Sequence, residues 1–179
     1  RALSREIMAG FVLLDKEHGS CRLVKKLENK VYTLDFTDFK GKTLKDDLLH
    51  RDFTINAMSI ELDELLDARL GLSDENLTDL IIDPYHGIVD LKSKIIHIVN
   101  VKAFDEDSLR ILRAFSLACI FGFKIDAKTI KLIKAKKDKL TKVSYERIRD
   151  ELFKILGRPD TFKYLEEMDK LKVLLEEPI

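Results

Sequence analysis

Apolar and polar positions alternate in short runs up to about residue 100, and then recur at a helical period. Residues 2–9 read as the end of a helix stopped by Gly10, and Phe11 to Leu14 as a short strand. The run Lys16-Glu17-His18-Gly19-Ser20 reads as a turn, and Cys21 to Leu27 and Lys30 to Phe36 as two strands joined at Glu28-Asn29. In the second of these, Tyr32, Leu34 and Phe36 share one face, and Thr33, Asp35 and Thr37 share the other. Leu62 to Asp79 is an acidic, Leu-rich surface excursion with some helix. Ile82-Asp83-Pro84-Tyr85-His86-Gly87 ends a strand in a turn, and Ile95 to Val99 is another apolar run. From about Ala103, the spacing of Leu109, Leu112, Phe115 and Leu117 to Ile120 predicts a helix ending near Gly122. Asp126 and Ser144 are placed to cap helices starting at Ala127 and Tyr145. Gly157-Arg158-Pro159 breaks the second of these, and a last helix covers about Asp160 to Leu175. The fold class is therefore α+β, a small antiparallel sheet followed by a helical second half.

Composition narrows the class. The 179 residues are 45% hydrophobic and 36% charged, which suits one substantial globular domain or two small ones. Lys+Arg and Asp+Glu are equal at 32 each, so a polyanionic partner must meet a local basic patch rather than a global field. Cys21 and Cys119 lie among apolar neighbours and read as reduced thiols. No apolar run approaches the ~20 residues of a membrane span and no signal peptide is evident, so the expectation is a cytoplasmic protein without a membrane partner. The chain enters a helical pattern almost at Arg1, which reads as a fragment whose beginning is missing.

Three segments carry candidate chemistry. Arg51-Asp52-Phe53-Thr54-Ile55-Asn56-Ala57-Met58 sets an arginine, an aspartate and an asparagine into a strand-like run. A guanidinium fork can hold phosphate while an amide bonds sugar or backbone, but the same residues also suit a solvated edge. In Glu106-Asp107-Ser108-Leu109-Arg110-Ile111-Leu112-Arg113, a helix would place Asp107 beside Arg110, with Arg113 a turn further on. Such a carboxylate accepts from the exocyclic amine of cytosine or adenine while the arginine donates to a ring acceptor, and Arg113 could reach the phosphates. An ordinary exposed ion pair is the alternative. The lysines at 124, 128, 131, 134, 136, 137, 139 and 142 either follow an RNA backbone or form a solvated helix face. The four histidines show no metal-ligand spacing.

Together these segments resemble the class II tRNA nucleotidyltransferases (CCA-adding enzymes) and their bacterial poly(A) polymerase relatives. The RRDFTINA-type motif corresponds to residues 50–57, the DPxxG turn to Asp83-Pro84-Tyr85-His86-Gly87, and the ED-x-x-R-x-x-R helix to Glu106, Asp107, Arg110 and Arg113. The S-x-E-R-I-x-x-E-L segment corresponds to residues 144–152. The resemblance implies a polymerase beta-like nucleotidyltransferase head, incomplete at its start, over residues 1–100, and a helical neck that recognises base and RNA over 101–179. It implies attack of a tRNA 3′-hydroxyl on the α-phosphate of CTP or ATP, with Mg2+ as cofactor. Arg51 and Asn56 would contact phosphate and sugar, Asp107 and Arg110 would template the base, and Arg113 would support the triphosphate. Asp35 is the candidate catalytic and metal-binding carboxylate.

The chain departs from the family pattern in three places. The G-G-x-x-R-D helix start followed by a D-x-D strand, source of the main metal ligands, is absent. His50 replaces the first arginine of the doublet, and Ser116 replaces a third helix arginine. The expectation is a chain inactive alone, its missing ligands coming from an upstream segment or a second chain. A poly(A) polymerase, an enzyme adding only CC or only A, and a non-catalytic nucleotide- or RNA-binding remnant are the alternatives.

Overall fold

The computed structural model describes residues 1–17, 19–68 and 78–173. The chain divides into two compact units at Asp47/Leu48. The first holds helix α1 (Ala2–Glu6) and strands β1 (Gly10–Asp15), β2 (Ser20–Leu27) and β3 (Lys30–Phe36), an antiparallel sheet in the order β1-β2-β3. The two strands expected to join at Glu28-Asn29 do so: Leu23 faces Leu34, Arg22 faces Asp35, and Glu28 turns the chain at φ 52°. Leu23 is buried, yet Tyr32, Leu34 and Phe36 are 50%, 50% and 43% exposed. Lys25 Nζ fixes α1 by donating to the carbonyl of Ile7 at 2.7 Å, and the Arg1 guanidinium lies 5.3 Å from the Phe11 ring.

Helix α2 (Leu44–Leu49) crosses the division. The second unit continues through a 3₁₀ turn (Thr54–Asn56), α3 (Leu62–Ala68), a 3₁₀ turn (Thr78–Leu80), α4 (Gly87–Ser93) and β4 (Ile95–Ile96). Then come α5 (Ala103–Glu106), α6 (Arg110–Phe121), β5 (Lys124–Ile125), α7 (Ala127–Lys136), a 3₁₀ segment (Lys137–Lys142), α8 (Tyr145–Leu156) and α9 (Thr161–Lys170). Phe53, Ile96, Phe104, Ile111, Phe115, Ile133, Ile155 and Met168 are 0% exposed and form one core around α6. Burying each such side chain contributes roughly 1.5–3 kcal/mol, which makes α6 the anchor of this unit. β4 and β5 pair in parallel, Ile96 against Ile125.

Several local expectations are met by identifiable bonds. The Asp126 carboxylate accepts from the backbone N–H groups of Lys128 and Thr129 and so caps α7. Gly122, at φ 69°, terminates α6 in the left-handed conformation that glycine adopts without steric penalty. Others are corrected. Ser144 is in the cap position of α8 but makes no capping hydrogen bond with its side chain. The region after Asp83-Pro84 is a helix as well as a turn, because the Asp83 carboxylate accepts from the N–H groups of Gly87 (2.7 Å) and Ile88 (2.9 Å) and starts α4. The predicted single helix from Ala103 is broken at Asp107, whose φ of −151° and ψ of 107° are extended. Much of the Leu62–Asp79 excursion (69–77), the end of the last predicted helix (174–175) and His18 lie outside the described residues. Among the described residues, no helix is long and apolar enough to cross a membrane, and both cysteines are free.

Candidate functional site

The second unit contains a cavity of about 540 Å³ walled by Arg51, Asp52, Asn56, Asp107, Leu109, Arg110, Arg113, Leu117 and Arg147. Its first wall is the 51–58 segment, which is not the strand-like run its alternation suggests. Phe53 alone pairs with Ile98, and the chain then turns. Thr54 explains the turn's fixity: its N–H donates to the carbonyl of His97 (2.9 Å) and its hydroxyl to Asp90 (2.7 Å). With Phe53 and Thr54 buried, Arg51 and Asn56 are left exposed on the cavity wall.

Asp52 organises this wall. One oxygen accepts from the Phe53 N–H (2.9 Å) and the Asn56 side-chain amide (3.0 Å). The other accepts from Arg113 Nε (2.8 Å), with Nη2 at 2.7 Å. Burial works against the charge on Arg113, but Asp52 and then Glu151 outweigh it and raise its pKa. Glu151 is itself buried, accepting from Ser116 Oγ (2.6 Å) and Lys154 Nζ (2.5 Å) and standing 3.6 Å from Arg113 Nη1. The serine that replaces an expected arginine therefore helps satisfy a buried carboxylate. A buried charge left unpaired there would be costly.

Arg110, with its side chain 11% exposed, ties the start of the 51–58 segment to α5. Its Nη2 donates to the His50 carbonyl (2.6 Å), and Nη1 to the carbonyls of Arg51 (3.3 Å) and Ala103 (3.2 Å) and to Glu106 (3.4 Å). His50 Nδ1 is 3.0 Å from the other Glu106 oxygen. Asp107 does not pair with Arg110. One of its oxygens accepts from the Leu109 N–H (3.1 Å) and the other from Arg147 Nη2 (2.7 Å). Thus the structure gathers Arg51, Asn56, Asp107, Arg110 and Arg113 around one cavity, and adds Arg147, to which sequence reasoning gave no role. The S-x-E-R-I segment contained it, but no spacing announces that residue 147 meets residue 107.

Asp35 belongs to the first unit. Its oxygens accept from Arg22 Nε (2.5 Å) and Nη2 (2.6 Å), and that bidentate hydrogen bond lowers its pKa. No group of three or more His, Cys, Asp or Glu side chains among the described residues could hold a metal ion. With Asp52 engaged by Arg113 and Asp35 by Arg22, these residues do not by themselves fit magnesium. Of the lysines, Lys136 and Lys139 are ion-paired with Asp105 (2.6 Å each), which holds its pKa down at about 2. Lys128, Lys131 and Lys134 form an exposed stripe on α7.

Four arginines and two aspartates around one polar cavity suit a polyanionic, base-bearing ligand. Residues 14–97 match the poly(A) polymerase head domain, and residues 122–176 match a probable RNA- and SrmB-binding site of polymerase A. The chain is 36% identical to a CC-adding tRNA nucleotidyltransferase of Geobacter sulfurreducens, over 94% of this chain and 35% of that protein. It is 37% identical to a CCA-adding enzyme of Pediococcus pentosaceus, over 85% of this chain and 38% of the relative. The chain belongs to the CCA-adding enzyme and poly(A) polymerase family. Solved members share its fold. A CCA-adding enzyme in complex with ATP superposes with a TM-score of 0.76 at 30% identity, covering 96% of this chain and 38% of that one. A Thermotoga maritima CCA-adding enzyme in complex with tRNA gives 0.76 at 31% identity, with the same coverage. The chain thus spans little more than a third of the length of these family members, and its α+β class is theirs.

Proposed function

We propose that this chain forms the nucleotide-reading part of a tRNA 3′-end nucleotidyltransferase that takes CTP, ATP or both. The observation that carries the reading is the cavity in which Arg51, Arg110 and Arg113 surround Asn56 and Asp107. Arg51 and Arg113 meet the triphosphate, and Asn56, held by Asp52, meets the sugar. Asp107 accepts from the exocyclic amine of cytosine or adenine, a donor that uracil lacks at that edge, and Arg110 forms the wall beside it. The similarity to family members described with CTP, ATP and tRNA supports these assignments.

Residues 1–100 act as the head and 101–179 as the neck, with Lys128, Lys131 and Lys134 facing the RNA backbone, in a cytoplasmic enzyme. Transfer joins the RNA 3′-oxygen to the α-phosphate and releases pyrophosphate. Magnesium is the ion that the family resemblance implies for such a transfer. Asp35, both of whose oxygens are engaged by the Arg22 guanidinium, does not by itself fit that ion. The function assigned to the cavity residues is nucleotide binding.

The match to the poly(A) polymerase head favours a second reading, repeated A addition. A nucleotide panel tested with tRNA lacking its 3′ end and with an unstructured primer separates the two. Addition confined to the tRNA supports the first reading, and repeated A incorporation on the unstructured primer as well supports the second. Absence of CTP and ATP binding defeats both.

A further inference from the structure

The nucleotide reading gives Asp107 a task but leaves open that of its guanidinium partner, Arg147. Arg147 stands in the first turn of α8 and donates through Nη2 to Asp107 Oδ2 at 2.7 Å. The Leu109 N–H donates to the opposite oxygen, Oδ1, at 3.1 Å. Asp107 itself lies in the extended break between α5 and α6, where no helix fixes its side chain. Two donors from different parts of the chain, one on each oxygen, set the plane of this carboxylate. A carboxylate oxygen has two acceptor directions, so each keeps one for a ligand.

Arg110, the nearest guanidinium in sequence, does not do this work. Its Nη groups donate to the carbonyls of His50, Arg51 and Ala103 and to Glu106. Arg113 is bound to Asp52. We propose that Arg147 is a positioning residue for base selection: it orients the Asp107 carboxylate so that the oxygen facing the cavity accepts from an exocyclic amine. Selection between amine-bearing and keto-bearing pyrimidines then depends on α8 as well as on the segment that carries Asp107. This rests on the nucleotide reading of the cavity. The Arg147 side chain is 52% exposed, so its ion pair adds little to folding and its removal acts mainly on the ligand.

The test is titration of CTP, ATP, UTP and GTP into the chain and into its Arg147→Ala and Arg147→Lys variants, alongside their melting curves. The expected result is a CTP-to-UTP affinity ratio about tenfold lower in Arg147→Ala, with partial recovery in Arg147→Lys and unchanged melting. An unchanged ratio in an Arg147→Ala variant that still binds CTP overturns the proposal. Equal weakening of all four nucleotides also overturns it, because Arg147 then supplies only positive charge. Failure of the wild-type chain to bind any nucleotide defeats the nucleotide reading itself, and the positioning role with it.

Discussion

Replacing Gly87 with alanine tests how the Asp83-Pro84 turn supports the cavity wall. A Cβ on Gly87 would stand 2.2 Å from the carbonyl oxygen of Thr54, 2.8 Å from its carbonyl carbon and 2.9 Å from Met58 Sδ. Thr54 cannot simply retreat, since its N–H is bound to His97 and its hydroxyl to Asp90. Nor can Gly87 move freely, because its own N–H donates to Asp83. Overpacking of this kind costs about 1–3 kcal/mol. At about 2–4 °C per kcal/mol for a chain of this size, the melting midpoint falls by roughly 2–12 °C. Any displacement of Thr54 also moves Asp52 and Asn56, so CTP affinity falls with stability. Gly122→Ala is the control: nothing lies within 4 Å of its added Cβ, and its φ of 69° makes conformational strain the only cost. That variant loses about 1 kcal/mol and keeps wild-type CTP affinity. A Gly87→Ala variant that melts and binds CTP like the wild type would refute the reasoning.

Other outcomes follow from the same contacts. Ser116→Ala removes a donor from buried Glu151 and lowers stability by about 1.5–3 kcal/mol in denaturant melts. Because the folded pKa of Asp105 is about 2 against an ordinary 3.8, its stabilising contribution is fully present above pH 3.8 and disappears as pH falls through 2. Asp105→Asn should therefore differ from wild type in neutral melts and converge with it in acid. Changing Lys128, Lys131 and Lys134 together to glutamate weakens tRNA binding, and a phosphate role reduces the salt slope by about three.

What the sequence disclosed was mostly local. The alternation in Lys30–Phe36 marked β3, and Asp126 marked the start of α7, because a two-residue repeat and an N-cap are short-range devices. Phe53–Asn56 misled for a long-range reason. Its alternation looks like a strand, but bonds from Thr54 to His97 and Asp90 turn the chain after a single bridge. Helix α4 was missed because Pro84 and Gly87 signal a turn, while its start depends on the Asp83 carboxylate. The candidate residues Arg51, Asn56, Asp107, Arg110 and Arg113 stood out through their motifs, and the structure places all five on one cavity. Their partners were not legible. The expected pairing of Asp107 with Arg110 assumed an unbroken helix, and the break at Asp107 presents that carboxylate to Arg147 instead.

The central claim is that the cavity bounded by Arg51, Asn56, Asp107 and Arg113 binds a nucleoside triphosphate and reads its base. The most direct measurement is an NMR titration of the wild-type chain with each of the four nucleotides, followed at the side chains of these residues. The account predicts saturable shifts at Asn56, Arg113 and Arg147 with CTP and ATP, and affinity about tenfold or more weaker for UTP and GTP. Equal binding of all four nucleotides, or shifts confined to residues away from the cavity, would contradict it.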